Sequence, residues 1–172
     1  MGWLAKLFNA VPKEEANGLE LDTNHPFWEV SEAEDFPSLF KALINLLPEG
    51  SVLYFEGGSP SGELESFFGQ NSIGEQAHIA IGTMWPRPDI FHVLATKENL
   101  LALTDISERC AEPELAIHFH VYQGNKILLE WHDAFSQPML LSGDIPEKKV
   151  KQFCDDLSVK YQKWENSTEQ TH

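Results

Sequence analysis

The sequence predicts an α+β domain, in which a mostly antiparallel sheet of about five or six strands packs with about four helices into a sandwich. Three observations point there. Strand-like segments come in neighbouring pairs, helix-like segments lie between them, and a regular βαβ alternation is absent. With 172 residues, 42% of them hydrophobic, the chain is long enough for one domain with a sizeable core.

Residues 1–30 read as an N-terminal arm. Trp3, Leu4, Leu7, Phe8 and Val11 lie at helical spacing, and Pro12 and an acidic stretch follow. Such a segment is expected to dock on the protein's own core or on a second subunit, since anionic lipid would repel its acidic sequel. Residues 31–165 read as the domain itself and 166–172 as a disordered tail.

Within the domain, Pro37 suits the first turn of a helix carrying Leu39, Phe40, Leu43, Ile44 and Leu47, which "PEG" at 48–50 ends. "SVLYFE" (51–56) reads as a buried strand. "SPSGELESFF" (59–68) reads as a short helix with Ser59 as its cap. "HIAIGTMW" (78–85) and "DIFHVLAT" (89–96) are expected strands, loosely paired because prolines join them. Thr96 can cap a helix over 97–110, and "MLLS" (139–142) suits an edge strand. The last helix is expected to run from Val150 to Trp164, with Asp144 and Glu147 as a capping pair.

Two glycine-rich possibilities fall away on residue type. In "EGGSPSGE" a phosphate loop would need lysine after Gly62, where Glu63 stands. A nucleophile elbow at Ser59 would need the next residue to donate its backbone N–H to the oxyanion, and Pro60 has none. Losing one such donor costs about 3–4 kcal/mol of transition-state stabilisation. Cys110 and Cys154 fall on apolar helix stripes and form no CxxC pair, so buried, reduced thiols are expected.

Three of the seven histidines lie in "AIHFHVYQGNKILLEWHDAF" (116–135). A two-residue turn at Gly124-Asn125 pairs Tyr122 with Ile127, His120 with Leu129 and His118 with Trp131. One face then carries His118, His120, Tyr122, Leu129, Trp131 and Asp133; the other carries Phe119, Val121, Leu128, Glu130 and His132. In that register His132 points away from His118 and His120, so three imidazoles cannot share a zinc ion. Asp133 would sit about 13 Å from His120. A third ligand such as His92 or Glu56, and an acid–base pair of Glu130 with His132, are the lesser alternatives. A slip of one residue would exchange all these facings.

The net charge of −15 bounds the partners. From Glu14 to Phe40 there are eight acidic residues and no lysine or arginine, and Arg87 and Arg109 are the only arginines. Nucleic acid and anionic surfaces are therefore poor partners, whereas a basic protein is the electrostatic complement. No apolar run reaches the roughly 20 residues of a membrane span, and no secretory signal is seen, so a cytoplasmic location is expected. The expectation is a non-catalytic acidic binding protein that masks a basic protein, as inhibitors and immunity proteins do, or self-associates. His118, His120, Tyr122 and Trp131 are its candidate binding residues, and no cofactor or metal is expected. The alternative is a small enzyme or ligand-binding domain that uses the His118/His120 face, with or without a metal.

Overall fold

A computed structural model describes residues 18–81 and 88–165. The α+β expectation holds, but the sheet is larger: the described residues form eight strands in one antiparallel sheet, with five helices. In chain order these are β1 (Phe27–Val30), α1 (Phe36–Leu46), β2 (Val52–Glu56), α2 (Gly62–Asn71), β3 (Ser72–Ile73), β4 (Ile90–Leu94), α3 (Lys97–Ser107), α4 (Glu112–Leu115), β5 (His118–Gln123), β6 (Lys126–Trp131), β7 (Met139–Ser142), α5 (Glu147–Leu157) and β8 (Tyr161–Trp164). The sheet order is β3-β4-β2-β5-β6-β7-β1-β8.

Helix starts follow local chemistry where the caps are right. Asp35 accepts the Ser38 N–H at 2.7 Å with Pro37 in the first turn of α1, and Thr96 accepts the Asn99 N–H at 3.1 Å to open α3. Two expected caps do not form. Ser61, not Ser59, precedes α2, and Pro146 precedes α5, neither with a side-chain cap bond. Asp144 pairs instead with Lys126.

The helices pack on one face of the sheet. Phe36, Leu39, Phe40 and Leu43 of α1, Phe67 and Phe68 of α2, Leu100 and Leu103 of α3, and Val150 and Phe153 of α5 join Phe55, Phe119, Val121 and Trp131 in the main core. Among the described residues no helix covers the other face. There Leu19, Leu21, Ala77 and Ile79 cover Tyr54, Tyr122, Val52 and Ile127. Leu19 forms a bridge with Ile79, so residues 18–22 lie across the sheet as a strap.

Three strands were not foreseen. β1 lies inside the stretch read as an arm, between β7 and β8. It is only four residues long, too short for its alternation to stand out. β8 occupies the end of the expected last helix. Ser158 adopts a left-handed conformation (φ 58°), which stops α5 at Leu157 and sends Tyr161 and Trp164 back along β1. β3 is a two-residue pairing with β4. Of the expected strand 78–85, only the bridge at Ile79 appears among the described residues, and 82–87 lie outside them, as do the helical spacing expected over Trp3 to Val11 and the tail expected at 166–172.

Candidate functional site

The β5–β6 hairpin turns at Gly124-Asn125 as its residues dictate, with Gly124 at φ 58° and Tyr122 opposite Ile127. One step further the pairing shifts. Val121 faces Leu129, His120 faces Glu130 and Phe119 faces Trp131, so Leu128 is the extra residue of a β-bulge.

The bulge corrects the expected facings. An unbroken ladder would have placed Glu130 opposite Phe119 in the helix-covered core and Trp131 on the other face. A carboxylate buried without partners there costs several kcal/mol, far more than one disturbed ladder bond of about 1 kcal/mol. With Leu128 bulged, Leu128 and Leu129 both enter the main core. Trp131 packs against Phe36 (centroids 6.0 Å), and its indole N–H donates to the Gln137 carbonyl at 2.7 Å.

Consequently His132 does not point away from His118 and His120. The three imidazoles meet: ring centroids are 4.8 Å apart for His120–His132 and 5.4 Å for His118–His132. Of the four candidate binding residues, the structure brings together His118, His120 and Tyr122 on the face away from the helices and sends Trp131 to the main core. All four are buried, so none lies on an open aromatic surface.

Strand β2 completes the layer. Tyr54 faces His120 and Glu56 faces His118 across β2–β5. The Tyr54 ring stacks on His120 (5.4 Å), and its hydroxyl donates to the fully buried Glu56 carboxyl at 3.0 Å. Burial, then the nearby Glu56, keeps the Tyr54 phenol protonated far above its ordinary range. On the other flank His92 Nδ1 lies 2.8 Å from the Tyr122 hydroxyl. Glu130 is the connector: one oxygen is 3.5 Å from His132 Nε2, and the other accepts the Leu21 N–H of the strap at 2.8 Å.

The proton positions follow from the backbone. His118 Nδ1 accepts the Asp133 N–H at 3.1 Å, and His120 Nδ1 accepts the Trp131 N–H at 3.3 Å. Each neutral ring must then carry its proton on Nε2. A ring in that tautomer has no free lone pair for a metal, since the remaining nitrogen is the one already accepting. Among the described residues no group of three or more His, Cys, Asp or Glu is placed to hold a metal ion. The Asp133 carboxylate comes within 4.0 Å of His118 Nδ1. His120 Nε2 is left buried with no hydrogen-bond partner.

Burial pushes His120 well below the ordinary imidazole value, and the neighbouring His132 and His118 add to it. His118 is lowered by burial against the pull of Glu56. His132 goes the other way, raised by its contact with Glu130. The layer thus stores its first proton on His132 and resists a second.

Cys154 is buried and Cys110 half-buried; both are free thiols, and burial raises Cys154 to about 12. Among the described residues, no helix is long and apolar enough to cross a membrane.

No protein-family model, no curated protein and no solved structure matches this chain.

Proposed function

We propose that the protein is a non-catalytic acidic binding protein that docks on and masks a basic protein partner. The observation that carries this reading is the imbalance of 27 Asp and Glu against 12 Lys and Arg. In the helix layer Glu65, Glu98, Asp105 and Glu112 are exposed and make no ion pair with described residues, although Lys41, Arg109 and Lys151 do pair with acidic neighbours. A surface of that sign accelerates encounter with a basic partner and repels nucleic acid. The burial of His118, His120 and Tyr122 supports the same reading, because a reactive constellation needs access to its substrate.

The test is isolation from the native cell with the bound species identified by mass, followed by titration of that complex with salt. A basic protein should be recovered, and its affinity should fall at least tenfold between about 50 and about 500 mM salt. Charge reversal at Glu98, Asp105 and Glu112 should weaken it further. Binding that is indifferent to salt would remove the electrostatic part of the proposal.

A second reading rests on one observation, the meeting of His118, His120 and His132 beside buried Glu56. It makes the chain a ligand-binding domain or small enzyme that reaches this layer past half-exposed His132. Metal analysis of protein purified without an affinity tag separates the two: a stoichiometric metal lost in His118→Ala would favour the second.

A further inference from the structure

The strap is held by a carboxylate that also serves the imidazole layer. The Leu21 N–H is given to Glu130, whose other oxygen faces His132, and His132 in turn abuts both His118 and His120. Among the described residues the start of the strap also makes two backbone hydrogen bonds, Leu19 N–H to the His78 carbonyl and Ala80 N–H to the Leu19 carbonyl. Its close approach there requires Gly18, where an added Cβ would lie 1.9 Å from the Ala80 nitrogen.

Consider what protons do to this arrangement. One charge on the layer is welcome, because Glu130 neutralises it on His132. A second charge must go to His118 or His120, whose rings touch His132 and whose Nδ1 atoms are already committed to backbone N–H groups. Protonating either Nδ1 would set N–H against N–H. The charged groups that face these rings from the described elements are Glu56 and Tyr54 on β2, His92 on β4, Glu130 on β6 and Asp133 after it. Glu75 and His78 stand on the loop before Ile79, Asp22 at the end of the strap and His25 in the turn after it. Glu75 also pairs with His78 (3.0 Å) and Asp22 with His25 (2.6 Å). Glu56 stands opposite His118 on β2, the Asp133 carboxylate lies 4.0 Å from His118 Nδ1, and His120 Nε2 has no hydrogen-bond partner.

We propose that the imidazole layer is a proton-operated latch on the strap: it holds residues 18–21 against the sheet while at most one of the three rings is charged, and lets them go when a second ring is protonated. The moving part is the strap, because its hold is a few backbone bonds and the side chains of Leu19 and Leu21, whereas β5 and β6 are locked from the other face by the main core.

Hydrogen exchange of the full chain, read by mass spectrometry at pH 7.5 and pH 5 and corrected for the intrinsic pH dependence of exchange, tests this. Amides of Leu19, Leu21 and Ala80 should lose protection at least about tenfold at the lower pH, while those of β5 and β6 keep theirs. In His120→Phe, which keeps the ring stacked on Tyr54 but cannot take a proton, the acid loss should shrink. In Glu130→Gln the side-chain oxygen can still accept from Leu21, but His132 loses its counter-charge, so release should move to higher pH. Strap protection that is the same at both pH values, or an acid loss unchanged in both variants, would overturn the latch.

Discussion

Tyr54 supplies one hydrogen bond to a buried carboxyl. Its hydroxyl is a donor to Glu56, a carboxyl with no exposure to water, and the two residues alternate along β2 toward the polar layer. Tyr54→Phe keeps the ring that stacks on His120 and removes only that donor. We expect a loss of about 1–3 kcal/mol in urea denaturation, the contribution of one hydrogen bond to a buried carboxyl. A change below about 0.3 kcal/mol would mean that Glu56 meets its needs elsewhere. The residue scale is also where sequence reading of the site was most fragile. His118, His120 and Tyr122 could be placed on a common face because they precede the bulge, but Trp131 and His132 could not. The signal was present, in the run Ile127-Leu128-Leu129 followed by Glu130 at a position a regular ladder would bury. Such a run is compatible with a bulge but does not require one, since β2 buries five successive residues in an unbroken register.

At the scale of elements, chemistry close in sequence held and chemistry far away did not. Asp35 caps α1 and Thr96 caps α3, since each reaches an N–H three residues on. Asp35→Ala should therefore cost about 1 kcal/mol, measured as a lower denaturation midpoint with an unchanged urea slope. A loss far beyond that would show that Asp35 has a further role. By contrast, α5 and β8 share a single helical-looking pattern from Val150 to Trp164, and what divides them is the left-handed Ser158. Tyr161 and Trp164 satisfy β1 just as well as they would a helix face: Tyr161 packs edge-on to Trp28 and Trp164 stacks on Phe27. Periodicity alone cannot choose between these, because the decision belongs to β1, more than a hundred residues away.

For the whole molecule, the imidazoles make stability depend on acidity. His92, His118 and His120 all lie below the ordinary value of 6.5 in the folded chain, chiefly through burial, and His132 lies above it. A lowered imidazole takes up its proton later than in the unfolded chain, so it subtracts stability as pH falls below about 6.5. A raised one adds stability as pH falls, and that contribution is lost as pH rises through its folded value. Three groups oppose one, so the unfolding free energy should fall between about pH 7 and pH 5, a range above most carboxylate titration. Urea denaturation across that range, repeated on His120→Phe, checks the sign: the variant should show the shallower slope. A stability that rises on acidification would mean that His132 outweighs the other three.

The sequence by itself determined the α+β class, the location of the main helices, the hairpin turn and the acidic character, because each follows from spacing, capping or composition within a short window. Tertiary structure decided the strand count, the end of α5 and the gathering of His132 with His118 and His120. Short edge strands are defined by their neighbours and not by their own pattern, and a bulge is chosen by which of two faces can bury Trp131 and which can solvate or pair Glu130.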